Sequence, residues 1–143
     1  MKLDFRSLAI LSALVFFSLA FTWMLAPDLL LSNWGVELSS SAEVVGRRGA
    51  ALYAGMSVMF FSARNAEPSP ARSALLGGAI VTCLILAVLG VFELATGHVG
   101  VGILTAVFIE IALVLAFLIV NFKDWLTSQP RTEKQTYSAK RQG

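Results

Sequence analysis

The chain has 143 residues, 57% of them hydrophobic and 14% charged, against roughly 25% charged residues in an ordinary soluble domain. That balance excludes a soluble globular domain, and a net charge of +2 from 11 basic and 9 acidic residues excludes the basic surface of a nucleic-acid-binding protein. One cysteine and one histidine exclude a disulfide framework, a Cys-x-x-Cys redox pair, a zinc site of ordinary ligand count and a bis-histidine haem within one subunit.

A helix needs about 20 largely apolar residues to cross the hydrocarbon core. The first such segment runs from Ser7 to Ala26 and is stopped by Pro27-Asp28. Its basic start (Lys2, Arg6) resembles a secretory signal, but the apolar run exceeds the roughly 7–15 residues of a signal core, and Trp23-Met24-Leu25-Ala26-Pro27 offers no small-residue cleavage site. It is read as a retained helix. Pro27 to Ser39, with Leu29, Leu30, Leu31, Trp34, Val36 and Leu38, is too apolar for a free loop and too short to span. It is expected to lie along the membrane interface as a turn of helix, with Pro27 at its first position and Gly35 at its end.

The second spanning segment is the least regular. Its uncharged stretch from Gly49 to Ala63 gives only about 22 Å of helix against a core of about 30 Å. Ser40-Ser41-Ala42-Glu43 reads as a capping box with Ser40 as N-cap, so the helix is expected to begin there and to carry Arg47 and Arg48. Arg64 to Arg72, with Pro68 and Pro70, is a polar hairpin. A third segment follows from Ser73 to Phe92 and a fourth from Val101 to Asn121. Residues 1–126 therefore read as one all-α domain, a four-transmembrane-helix bundle with an interfacial segment between its first and second helices. Residues 127–143 read as a disordered cytoplasmic tail. There is no internal repeat.

Orientation follows from the bases. Lys2, Arg6, Arg64, Arg72, Lys123, Arg131, Lys134, Lys140 and Arg141 fall on one side of this topology, and only Arg47 and Arg48 on the other. The positive-inside rule then puts both termini in the cytoplasm, as in a multi-pass protein of the bacterial inner membrane. Trp23 and Trp34 are expected at the outer headgroups and Trp125 at the inner ones.

Four charges bear on function. Glu110, within Val107-Phe108-Ile109-Glu110-Ile111-Ala112-Leu113, lies about ten residues from either end of its segment, near the bilayer midplane. An acidic residue there costs about 2.5–3.5 kcal/mol on insertion scales. It must therefore face protein or a wet cavity, as a structural inter-helix contact or as a functional group. Arg47, Arg48 and Glu93 count to similar heights, which allows a cluster of two arginines and two carboxylates with at least one Arg–Glu pair; alternatively the arginines snorkel and Glu93 is a hydrated helix end. His98, in Thr96-Gly97-His98-Val99-Gly100, reads as a loop residue, and Cys83 as a small buried apolar one. Gly46, Ala50 and Ala54, with Ala51 and Gly55 beside them, form a small-residue face for packing within the bundle, with Gly77-Gly78 and Thr82 as its expected counterpart.

The stretches Ala26-Pro27-Asp28-Leu29-Leu30, Trp34-Gly35-Val36, Gly46-Arg47-Arg48-Gly49-Ala50-Ala51-Leu52-Tyr53-Ala54-Gly55 and Ala63-Arg64 resemble the small four-helix membrane proteins of the broad DoxX-like group. The resemblance covers about half the chain, transfers no catalytic residue, and implies an accessory role beside a quinone-linked redox partner. Three readings stand at this level. The first is a non-catalytic accessory or interaction subunit, with a membrane protein partner or a second copy. The second is a quinone- or lipid-binding protein with its pocket at Arg47, Arg48, Glu93 and Glu110. The third is a small proton-coupled transporter. The first is preferred, with no catalytic residue, no metal and no resident cofactor expected.

Overall fold

The computed structural model describes residues 4–128, and every described element is helical. In chain order these are α1 (Phe5–Leu25), the short α2 (Pro27–Asn33), α3 (Ser40–Ala63), α4 (Pro70–Ala95), a 3-10 turn (Val101–Ile103) and α5 (Leu104–Ser128).

The starts of α1, α3 and α4 are set by a side chain that satisfies an orphan N–H of the first turn. The Ser7 N–H donates to Asp4 Oδ1 at 2.9 Å, the Ala42 N–H to Ser39 Oγ at 3.1 Å and the Arg72 N–H to Ser69 Oγ at 3.3 Å. Pro27 and Pro70 open α2 and α4, where a missing N–H costs nothing. Two turns need a left-handed residue, and glycine supplies it at Gly35 (φ +70°) and Gly97 (φ +78°).

Several boundaries differ from the sequence reading, among them those of α4, which starts at Pro70 and ends at Ala95 instead of the expected Ser73 and Phe92. The cap of α3 is Ser39, one residue earlier than expected, and Glu43 bonds Arg47 one turn on instead of turning back to close a capping box. The fourth segment is split into the 3-10 turn and α5, which runs on past Asn121 through Trp125 to Ser128. The helix thus crosses the expected domain boundary at 126, and the remainder of the expected tail, 129–143, lies outside the described residues.

Three helical stretches are long and apolar enough to cross a membrane: Phe5–Leu25, Pro70–Ala95 and Val101–Leu126. Helix α3 is not among them. Its 24 residues extend about 36 Å, but Glu43, Arg47 and Arg48 dilute its first half.

The most extensive helix contacts are α1 with α3 and α4 with α5. On α1 the buried residues Phe5, Leu8, Ser12, Phe16 and Ala20 recur every three or four positions and make one stripe. Gly46, Ala50, Ser57 and Phe60 make the matching stripe on α3. The buried Ser57 hydroxyl donates to the Ala13 carbonyl at 2.8 Å, tying the two helices at mid-length. Phe60 bridges the pairs, its ring 5.7 Å from Phe16 and 5.3 Å from Phe117 of α5.

The exterior is as apolar as the interior. Leu52 (73% exposed), Val88 (66%) and Phe108 (74%) represent a surface of large aliphatic and aromatic side chains on the long helices. Such a surface is stable only against an apolar solvent.

Both ends of the bundle are closed by specific contacts. At one end Arg72 Nη2 reaches Asp124 Oδ1 at 2.8 Å, its Nη1 donates to the Ala66 carbonyl at 2.9 Å, and its guanidinium lies 3.8 Å from the Phe5 ring centre. The starts of α1 and α4 and the last turns of α5 therefore share one end. At the other, Trp23 and Trp34 pack with ring centres 5.7 Å apart, and the Gly100 N–H donates to the Trp34 carbonyl at 2.5 Å.

Candidate functional site

Between these ends lies a cavity of about 150 Å³. Trp23, Leu30, Asn33 and Trp34 cover its upper end, Phe16 and Leu19 of α1 and Tyr53 of α3 form one wall, and Cys83, Leu86, Thr105, Ile109 and Glu110 of α4 and α5 form the other. Helix periodicity explains the α5 contribution. Ala106, Glu110 and Leu113 lie three or four residues apart and so share a face, while Phe108, two residues before Glu110, points out at 74% exposure.

Glu110 is the chemical centre of the cavity. Its Oε2 is buried and has no hydrogen-bond partner. A polar atom left in that state costs about 1–3 kcal/mol, and more when charged. The cavity also presents a phenol (Tyr53), a thiol (Cys83), a carboxamide (Asn33) and a hydroxyl (Thr105). This set can donate and accept hydrogen bonds around a small polar group, while the surrounding rings and aliphatic chains hold an apolar body.

A second, more open depression of about 600 Å³ lies between α3 and α4. Gly49, Ala51, Leu52, Gly55, Met56 and Met59 line it from α3, and Thr82 and Leu86 from α4. It exists because the small residues expected to bring α3 and α4 together do not meet. Gly55, Gly77 and Gly78 have open space where a Cβ would stand, and Ala51, Ala54 and Gly55 are exposed. Only Gly46 and Ala50 of that face are buried, Gly46 so closely beneath Trp23 that a Cβ would overlap the indole.

The four charges singled out in the sequence do not form one cluster. Arg47 pairs with Glu43 at 2.5 Å, because a glutamate four residues earlier on the same helix is always within reach. Arg48 is exposed. Glu93 Oε2 lies 2.7 Å from His98 Nδ1, which is itself 3.1 Å from Thr96 Oγ1, because the turn at Gly97 folds the loop back over the end of α4. No Arg–Glu pair joining these four residues occurs among the described residues; short-range partners take up Arg47 and Glu93, and Glu110 is left alone in its cavity.

Sequence reasoning missed the buried pair. Arg72 read only as a loop base and Asp124 was not singled out, yet with side chains 9% and 15% exposed they form a protected ion pair. Their distance in sequence hid the pairing, and the available signal was an acid and a base at the same expected height on neighbouring segments. Tyr53 and Cys83 as neighbours of Glu110 were missed for the same reason.

No family model, curated protein or solved structure matches this chain. The functional reading therefore rests on the cavity and its carboxyl.

Proposed function

We propose that this chain is an integral membrane protein, a four-transmembrane-helix bundle with both termini in the cytoplasm, that holds a small amphipathic molecule of the bilayer, quinone- or lipid-like, in the cavity at Glu110. The observation that carries this reading is the buried Oε2 without a partner, in a largely apolar cavity. A carboxyl in that position is under pressure to find a hydrogen-bonding group, and the space beside it is close to the roughly 150 Å³ that holds a single aromatic ring in an engineered apolar cavity. Helix α3 serves as the fourth span despite its charges: Arg47 is neutralised within the helix by Glu43, and Arg48 is free to extend its stem toward the outer headgroups. The cytoplasmic placement is supported by Arg6, Arg64, Arg72 and Lys123 at the end of the bundle where α1 and α4 begin and α5 finishes.

The expected result is a lipid- or quinone-sized adduct on the wild-type protein in native mass spectrometry from mild detergent, largely lost in Glu110→Leu. Wild-type protein that carries no adduct, or an adduct indifferent to the substitution, defeats the reading. A second reading, an accessory subunit as the DoxX-like resemblance implies, is favoured by one observation: the exposed small face of Ala51, Ala54 and Gly55, of the kind that lets another helix approach closely. A stable partner recovered in the same detergent would support it.

A further inference from the structure

The cavity at Glu110 and the depression between α3 and α4 share two lining residues, Tyr53 and Leu86. The two spaces are therefore adjacent, with the phenol of Tyr53 standing between an apolar groove and a carboxyl. Around the groove the surface is lipid-like in character: Leu52 is 73% exposed, Met59 50%, Val81 55% and Ile85 55%. The groove itself is floored by glycine, alanine and methionine, which leave room and adapt in shape.

Resting on the reading of the cavity as a binding site, we infer that its ligand is a long-chain molecule with a hydroxyl-type head, which enters sideways from the bilayer between α3 and α4. The chain lies in the groove against Gly55, Met56 and Met59, and the head passes Tyr53 to hydrogen-bond Glu110 through its hydroxyl. Three observations define this class. The unpartnered atom is a carboxyl oxygen, and a hydroxyl, which both donates and accepts, satisfies it in either protonation state. The cavity of about 150 Å³ limits the head to about one small ring or a few heavy atoms. Its upper end is closed by the Trp23–Trp34 pair and by the Gly100 to Trp34 hydrogen bond, while the groove between α3 and α4, which shares Tyr53 and Leu86 with the cavity, offers a lateral route. A long-chain alcohol, a quinol head or a diacylglycerol meets these requirements, and a phospholipid does not, because its charged phosphodiester would be buried beside a carboxyl in a small and largely apolar cavity.

The test uses full-length protein in nanodiscs and a photoreactive sixteen-carbon alcohol carrying a mid-chain diazirine, compared with the same chain lacking the hydroxyl. The alcohol is expected to label Met56, Met59 or Leu86. Labelling should fall about tenfold or more in Glu110→Leu, which removes a hydrogen bond to a carboxyl. It should fall similarly in Gly55→Phe, which fills the groove at a position where a side chain meets nothing; Ala51→Phe, on the same exposed face, gives an independent block. Equal labelling by the chain without a hydroxyl overturns the hydroxyl requirement. Labelling that depends on Glu110 but ignores both groove substitutions overturns the lateral route and leaves the binding reading intact. A crosslink from the groove to a second protein chain assigns the groove to a partner helix and overturns the proposal. Absence of Glu110-dependent labelling together with absence of a native adduct overturns both the inference and the reading beneath it.

Discussion

Two partly buried carboxylates of this fold, Asp124 and Glu110, are treated in opposite ways. At the end where α1 and α4 begin, Asp124 is met by Arg72, whose guanidinium also binds the Ala66 carbonyl and covers the Phe5 ring. In the middle of the bundle, Glu110 faces an open cavity with one oxygen buried and unpartnered. The first arrangement locks three chain segments in place. The second keeps a strong hydrogen-bonding group facing a cavity, and a fold that brings a guanidinium to one carboxylate and none to the other has room beside the second for something else.

The largest expected effect comes from breaking the closed site. Arg72→Met or Asp124→Leu alone breaks this protected ion pair, and Asp124→Leu leaves the buried Arg72 guanidinium without its carboxylate, a loss of about 3–5 kcal/mol. The double substitution should be markedly less harmful than the sum of the two, as read by thermal unfolding of the detergent-solubilised protein. Strict additivity would mean that the pair does not hold the end together.

A smaller effect is expected where the outer end meets the cavity. Gly46→Leu drives a side chain into the Trp23 indole and should cost about 1–3 kcal/mol by overpacking. Because Trp23 also lines the cavity, the ligand adduct should weaken together with stability. Full binding in a destabilised Gly46→Leu protein would separate Trp23 from the site.

Glu110 should respond with the opposite sign. Removing an unsatisfied buried group by Glu110→Leu is expected to raise the stability of the ligand-free protein by about 1–3 kcal/mol while abolishing binding. A clear loss of stability in the empty protein would place Glu110 with Asp124, as a structural contact. Glu110→Gln sharpens the distinction, since the amide keeps an acceptor oxygen but no ionisable group: binding retained in Gln and lost in Leu identifies hydrogen bonding as the requirement.

The smallest effect concerns the cap of α1. Hydrogen bonding from Ser7, side chain first and backbone second, holds the Asp4 carboxyl below the usual aspartate value of 3.8. A depressed folded value means that this contribution is complete above about pH 4 and is lost as pH falls through the folded titration point. The Asp4 carboxyl resonance should titrate below that of a free aspartate, and Asp4→Ala should remove the acid-side sensitivity of the first turn of α1. It should leave Arg72–Asp124 and Glu110 untouched.

Much of this was legible in the chain itself. The helical class, the apolar character of α1, α4 and α5 and the proline that opens α2 follow from composition and from punctuation at Pro27 and Gly35. These are local properties, set by backbone preference and by runs of apolar side chains. The tertiary structure decided which charges meet. It gave Arg47 to Glu43, Glu93 to His98 and Arg72 to Asp124, and it left α3 and α4 apart at their small residues, beside a cavity that faces Glu110. Height along a helix can be counted from a sequence, but the rotation of each helix about its axis and the choice of its neighbours depend on the packing of all helices at once. A carboxyl and a guanidinium at equal height can face each other or stand on opposite sides of the bundle, and only the packed structure distinguishes the two.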